Sequence, residues 1–171
     1  MKSSIKIMAM LIIGLTIATL IYPFLHETGH SIATVLVGGD VIKFHLFPLP
    51  NILCNVATLS STEKVLIGIS GMLFPIVVSS LLFHSKKRFW LWYATLILRG
   101  ICVLSIAMTI VATFLYTIGK PVINEDITTV LNIAPNLVKA TAIASLLVIS
   151  GLIIIIMKDN PVKKIGDYLL K

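Results

Sequence analysis

The chain has 171 residues, of which 57% are hydrophobic and 12% are charged, and its mean hydropathy is +1.03. Soluble domains carry about 25% charged residues, so a water-soluble fold of this length cannot hide so much apolar surface, and the bilayer must be its solvent. The formal net charge of +7 does not indicate nucleic-acid binding, because the basic residues lie at the ends of apolar runs and form no polar, basic stripe.

Four apolar segments reach the length needed to cross a membrane, which is about 20 residues. They cover approximately residues 5–37, 63–83, 89–118 and 137–157. We therefore predict an all-α integral membrane bundle of about four transmembrane helices. It forms a single membrane-embedded domain over residues 1–171, with a short β-hairpin-like segment at 40–60.

The first segment contains Pro23, which predicts a kink, and Gly38-Gly39 ends it. After it, β-branched and aromatic residues flank a turn at residues 48–51, and this pattern predicts two short strands. An open strand edge cannot face lipid, so we expect these strands at the membrane interface or against other parts of the protein.

The later segments carry their own boundary signals. Ser60-x-x-Glu63 has the pattern of a capping box at the start of the second segment, and Gly68, Ser70 and Gly71 give that segment a small-residue face. The third segment begins with an aromatic group that is typical of a membrane interface, and it ends before Gly119 and Pro121. The aromatic group comprises Trp90, Trp92 and Tyr93.

The basic flanks predict the orientation of the bundle. Most Lys and Arg residues lie on the side that holds both termini and the 84–88 turn, so this side is the better candidate for the cytoplasm. The residues on this side are Lys2, Lys6, Lys86, Lys87, Arg88, Lys158, Lys163, Lys164 and Lys171. An even number of spans keeps both termini there.

Residues His26-Glu27-Thr28-Gly29-His30 have the pattern H-E-x-x-H. On a helix, residues i and i+4 share a face, so both imidazoles can reach one zinc ion. Glu27 lies about 100° around the helix from His26, beside the ion, where it can take a proton from a zinc-activated water. Alternatively, these polar residues only end the first span at the interface. Because ionisable residues within a membrane are costly, we favour one Zn²⁺ per chain.

Several features surround this motif: Gly29 within it, Ala33 after it, the Gly38-Gly39 pair and a strand-forming stretch from Asp40. With these features, residues 22–40 resemble the signature helix of the site-2 protease family of intramembrane zinc metalloproteases. The likeness is greatest to its small bacterial members that lack a PDZ domain, and it covers about residues 20–50. The resemblance implies hydrolysis of membrane-anchored protein or peptide substrates in a bacterial cell membrane. That family usually holds its zinc near the cytosolic face, whereas the charge count places the motif on the opposite side.

Two histidines leave zinc under-coordinated, and the resemblance implies an aspartate on a later span or loop as the third ligand. Asp126 is our candidate, because two spans separate the end of the first helix from the 119–136 loop and thus place both on one side. Glu125 and His45 remain alternatives. Asn124 or Asp126 could instead only cap a short helix before Pro135. The Leu-Asp-Gly sequence that usually carries this ligand in the family is absent.

Arg99 lies in the middle of the third segment, where a charge needs a partner or a water-filled cavity. We expect it to stabilise the oxyanion at the scissile carbonyl or to pair with Glu125 or Asp126. The alternative is that its side chain reaches along a tilted helix to the membrane surface.

The segment Phe44, His45 and Leu46 is a candidate for holding an unwound substrate by strand pairing. Together these features predict an intramembrane zinc metalloendopeptidase. The alternative is a zinc-binding membrane protein without proteolytic activity, such as a regulator or a degenerate family member. A metal transporter would need ionisable residues at mid-depth on several spans, and only Arg99 qualifies. The sequence leaves the oligomeric state open.

Overall fold

The computed structural model describes residues 3–82, 88–123 and 125–170. Several residues used in the sequence predictions lie outside these ranges, namely Lys2, Lys86, Lys87, Asn124 and Lys171. In chain order the elements are α1 (Ser3–Thr16), a π-helical turn (Ile17–Ile21), α2 (Tyr22–Leu36), β1 (Asp40–His45), β2 (Asn51–Asn55), α3 (Ser61–Leu81), α4 (Phe89–Thr117), α5 (Asp126–Ile133), a 3₁₀ turn (Pro135–Leu137), α6 (Val138–Lys158) and α7 (Pro161–Leu170).

Within the described ranges, four helical stretches are long and apolar enough to cross a membrane. They are Ser3–Leu36, Ser61–Leu81, Phe89–Thr117 and Pro135–Leu170. The predicted all-α membrane bundle with a short hairpin is therefore confirmed. The fourth stretch is longer than expected, because α7 follows α6 after a short break.

The π-helical turn lies directly before Pro23. The Tyr22 backbone N–H donates to the carbonyl of Ile17, five residues back. Proline has no N–H, and its ring clashes with the carbonyl four residues earlier in a regular α-helix. A wider π turn relieves that clash, so the irregularity predicted from Pro23 takes this form. Beyond the turn, α2 carries the H-E-x-x-H residues.

β1 and β2 form the predicted hairpin, paired antiparallel with Phe44 opposite Ile52 and His45 opposite Asn51. Gly38 has φ +85°, which stops α2 and turns the chain into β1. β2 packs against α2. This contact covers part of the hairpin with protein, which is one of the two placements expected for these strands.

α3 begins with the predicted capping box, in which the Ser60 hydroxyl accepts from the Glu63 N–H and Glu63 accepts from the Ser60 N–H. Farther along, its small residues allow close packing against two partners. A Cβ at Gly68 would overlap the Val130 side chain, and a Cβ at Gly71 would overlap the His30 imidazole. The small face thus brings α5 and the second motif histidine against α3.

Within the predicted 119–136 loop, α5 is a short helix buried against α3 and α4. Ile127, Val130 and Leu131 pack with Ala112 of α4 in one apolar cluster. The Tyr116 hydroxyl donates to the Leu131 carbonyl at 3.0 Å. These contacts hold α5, which begins at Asp126, against α3 and α4.

α7 packs against α1 and the beginning of α4. Its Tyr168 ring stacks on Phe89, and its Tyr168 carbonyl accepts a 2.9 Å hydrogen bond from Lys6. Lys164 lies 4.2 Å from the centre of the Trp92 ring. Trp92 and Tyr93 of the predicted aromatic group are buried beneath α1 and α7.

Candidate metal centre

Three donor atoms converge where α2 meets α5. His26 Nε2 lies 2.8 Å from Asp126 Oδ2, His30 Nε2 lies 3.2 Å from the same oxygen, and the two Nε2 atoms are 3.1 Å apart. Bonds of about 2.0–2.2 Å to tetrahedral zinc would separate neighbouring donors by about 3.4 Å. The triangle therefore needs only a slight widening to hold such an ion, and these three residues can form a metal site.

The hydrogen positions around His30 also fit a cation. His30 Nδ1 lies 2.7 Å from the Ile67 carbonyl, so this nitrogen carries a proton and donates it. In the neutral ring, Nε2 then presents a lone pair to a carboxylate oxygen at 3.2 Å. A cation between these two acceptors removes their repulsion. A carbonyl that orients a ligand histidine in this way is a common outer partner in metal sites.

Asp126 is held as an ionised carboxylate. Burial by itself would raise the pKa of Asp126, but interactions with the neighbouring His26 and His30 imidazoles outweigh burial and hold that pKa below its usual range. The charged form is the one that binds a metal. The predicted third ligand thus lies beside both histidines.

The alternative third ligands, Glu125 and His45, do not contribute donor atoms to the converging group. Glu125 is the N-cap of α5, where its carboxylate accepts from the Thr128 N–H at 2.9 Å. Burial raises the pKa of Glu125. His45 is in β1, and neither residue belongs to the converging group. The capping role that the sequence left open for Asn124 or Asp126 therefore belongs to Glu125.

Glu27 lies beside the triangle, as the helical geometry predicted. Its carboxylate is close enough to His26 and His30 for electrostatic interaction, and it accepts a hydrogen bond from the Ile52 backbone N–H. It is not one of the groups whose donor atoms meet. The Glu27 carboxylate therefore lies next to the candidate metal ligands without being one of them.

A cleft of about 670 Å³ opens beside the metal group. Glu27, His30 and Asp126 form part of its wall. Another part comes from β2, through Asn51, Ile52 and Cys54, and from Val56 directly after the strand.

The predicted substrate segment Phe44, His45 and Leu46 does not line this cleft. Phe44 and His45 are in β1, which pairs with the far side of β2, and Leu46 follows the strand. The Phe44 ring packs against Phe24 at 5.8 Å between ring centres. Of the two strands, β2 is the one that borders the cleft, and the substrate role of the Phe44, His45 and Leu46 segment stays a prediction.

Arg99 is buried away from the metal group. Its guanidinium donates to the Ser79 carbonyl at 3.0 Å and lies 3.8 Å from Asp159 Oδ2. Among the described residues it pairs with neither Glu125 nor Asp126, so that expectation is wrong. The structure gives the predicted oxyanion role no support, since the side chain joins α3, α4 and the end of α6.

Comparison with protein-family models, curated proteins and solved structures finds no match for this chain. Function is therefore inferred from the geometry of the site and from the H-E-x-x-H residues.

Replacing Gly71 by alanine should displace the His30 ring, because the new Cβ would overlap it. We expect zinc affinity to fall by at least about tenfold, comparable to loss of an outer partner in other zinc sites. The matched control is Gly151→Ala in α6, where a Cβ meets nothing within 4 Å. Zinc titration of both purified variants tests this, and equal affinities would contradict it.

Proposed function

We propose that this protein is an intramembrane zinc metalloendopeptidase that hydrolyses peptide bonds of membrane-anchored substrates. The observation that supports this most directly is the His26, His30 and Asp126 triangle with Glu27 beside it at a cleft. Two histidines and one carboxylate are the ligand set of several catalytic zinc sites, which leave a fourth position open for water. The resemblance of residues 22–40 to the site-2 protease signature agrees with this ligand set.

When bound, zinc lowers the pKa of a coordinated water towards about 7 and polarises the scissile carbonyl. The carboxylate of Glu27 takes a proton from the attacking water and passes it to the leaving amine nitrogen as the C–N bond breaks. His30 keeps its orientation through the proton on Nδ1, which stays with the Ile67 carbonyl. Asp126 remains charged throughout.

The β2 edge offers a way to present the substrate. A peptide bond within a helix is shielded by its own hydrogen bonds, so the substrate must unwind before it reaches the metal. The Ile52 N–H points to the cleft side of β2, where it meets Glu27. An extended chain that pairs along this edge would lie next to the catalytic carboxylate.

Removal of the metal tests the proposed function. The purified protein is placed in liposomes with a panel of single-span reporter proteins, and cleavage is followed by gel. Treatment with 1,10-phenanthroline should reduce cleavage by at least about a hundredfold, because no activated water remains. Added Zn²⁺ should restore it.

The matched control is 1,7-phenanthroline, an isomer that cannot chelate and should leave cleavage unchanged. Cleavage that persists in protein shown to be metal-free would disprove the proposed mechanism. Binding of one zinc per chain without cleavage of any reporter would instead favour the non-proteolytic alternative.

A further inference from the structure

Lys64 is the cationic side chain among the residues that line the metal cleft. It shares one face of α3 with Ile67 and Gly68, at spacings of three and four residues. Ile67 provides the carbonyl that orients His30, and Gly68 also lines the cleft. Lys64 therefore lies about one helical turn from the metal ligands, towards the beginning of α3.

Lys64 forms no ion pair with an acidic side chain of the described residues. Its neighbour Glu63 is engaged in the capping box with Ser60. The cleft acids Glu27 and Asp126 belong to the proposed catalytic group.

The stability of α3 does not explain a lysine at this position either. A cation in the first turn of a helix opposes the helix dipole and is mildly unfavourable there. Lys64 is half-buried, so its charge faces the cleft without being fully screened by water. An anionic group in the cleft would offset both the unfavourable interaction with the helix dipole and the incomplete screening of the Lys64 charge.

We propose that Lys64 binds a carboxylate of the substrate and thereby selects acidic peptides for cleavage. This inference depends on the proposed function, because it assigns a specificity residue to the same cleft. The carboxylate belongs to an Asp or Glu side chain near the scissile bond or to a free peptide C-terminus. Both place the same charge about one turn from the metal.

Binding is measured on zinc-loaded Glu27→Gln protein in nanodiscs, so that peptides bind without being cut. The probes are short fluorescent peptides that differ at one central position, Asp, Asn or Lys, each with an amidated or a free C-terminus. Fluorescence anisotropy should show the amidated Asp peptide binding about fivefold to tenfold tighter than the Asn peptide. If the C-terminus is the recognised group, the preference follows the free carboxylate instead.

Substitutions of Lys64 then test its role in this preference. Lys64→Gln should remove the preference, Lys64→Arg should keep it, and Lys64→Glu should favour the Lys peptide. The matched control is Lys139→Gln, which removes one exposed charge at the start of α6 and should leave the preference intact. Zinc content is measured for every variant as the check on folding.

A preference that is unchanged in Lys64→Gln would overturn the inference, as would equal binding of all probes or no binding at all. The first two results are distinct from failure of the proposed function, whereas no binding of any probe would count against both. A protein that holds zinc and cuts reporters without regard to charge would refute only the role of Lys64.

Discussion

Asp126→Ala should empty the metal centre. The substitution removes one of three protein ligands, and we expect zinc affinity to fall by more than about a hundredfold. His30→Ala should have the same effect, because its Nε2 lies 3.1 Å from His26 and 3.2 Å from Asp126. Metal analysis of the purified variants should therefore give far less than one zinc per chain, against one in the wild type.

The matched control for this experiment is His45→Ala. His45 is also a histidine, but it lies in β1 outside the converging group. It should keep full zinc content. Loss of zinc in His45→Ala with retention in Asp126→Ala would show that the third ligand has been assigned to the wrong residue.

Glu27→Gln should abolish cleavage while leaving the metal in place. Glutamine keeps the size of the side chain but cannot accept the proton of the attacking water. We expect the rate of reporter cleavage to fall by about a thousandfold, within the usual range for loss of a general base. Zinc content should remain at one per chain, because Glu27 is not among the converging donors.

Glu63→Gln is the matched control for this substitution. Glutamine also serves at this position of a capping box, so the start of α3 should persist and cleavage should be unchanged. Normal cleavage by Glu27→Gln would disprove the assignment of the general base. A loss of both zinc and cleavage would show that Glu27 supports the metal site itself.

The sequence could predict those parts of the site that follow from helix periodicity and from membrane topology. His26 and His30 share a face because they are four residues apart. Asp126 could be placed on their side because an even number of crossings separates it from α2. Neither inference needs knowledge of how the helices pack.

The remaining features depend on tertiary packing, which single-sequence patterns do not encode. Arg99 meets Asp159 only because the middle of α4 packs near the end of α6. In the sequence, Lys64 cannot be distinguished from a lysine at the membrane interface. The packing of α5 and β2 is what makes it part of a cleft wall. For the same reason, no local signal could decide whether β1 or β2 would face the metal.

The ligands come from parts of the chain that are synthesised far apart. His26 and Asp126 are separated by 100 residues, and both α3 and α4 lie between them. A nascent chain that has inserted only its first spans holds two imidazoles and lacks the carboxylate. The three-donor site is therefore incomplete until translation has passed Asp126 and α5 has docked. For the proposed peptidase, this order of assembly would delay any cleavage until the bundle has formed.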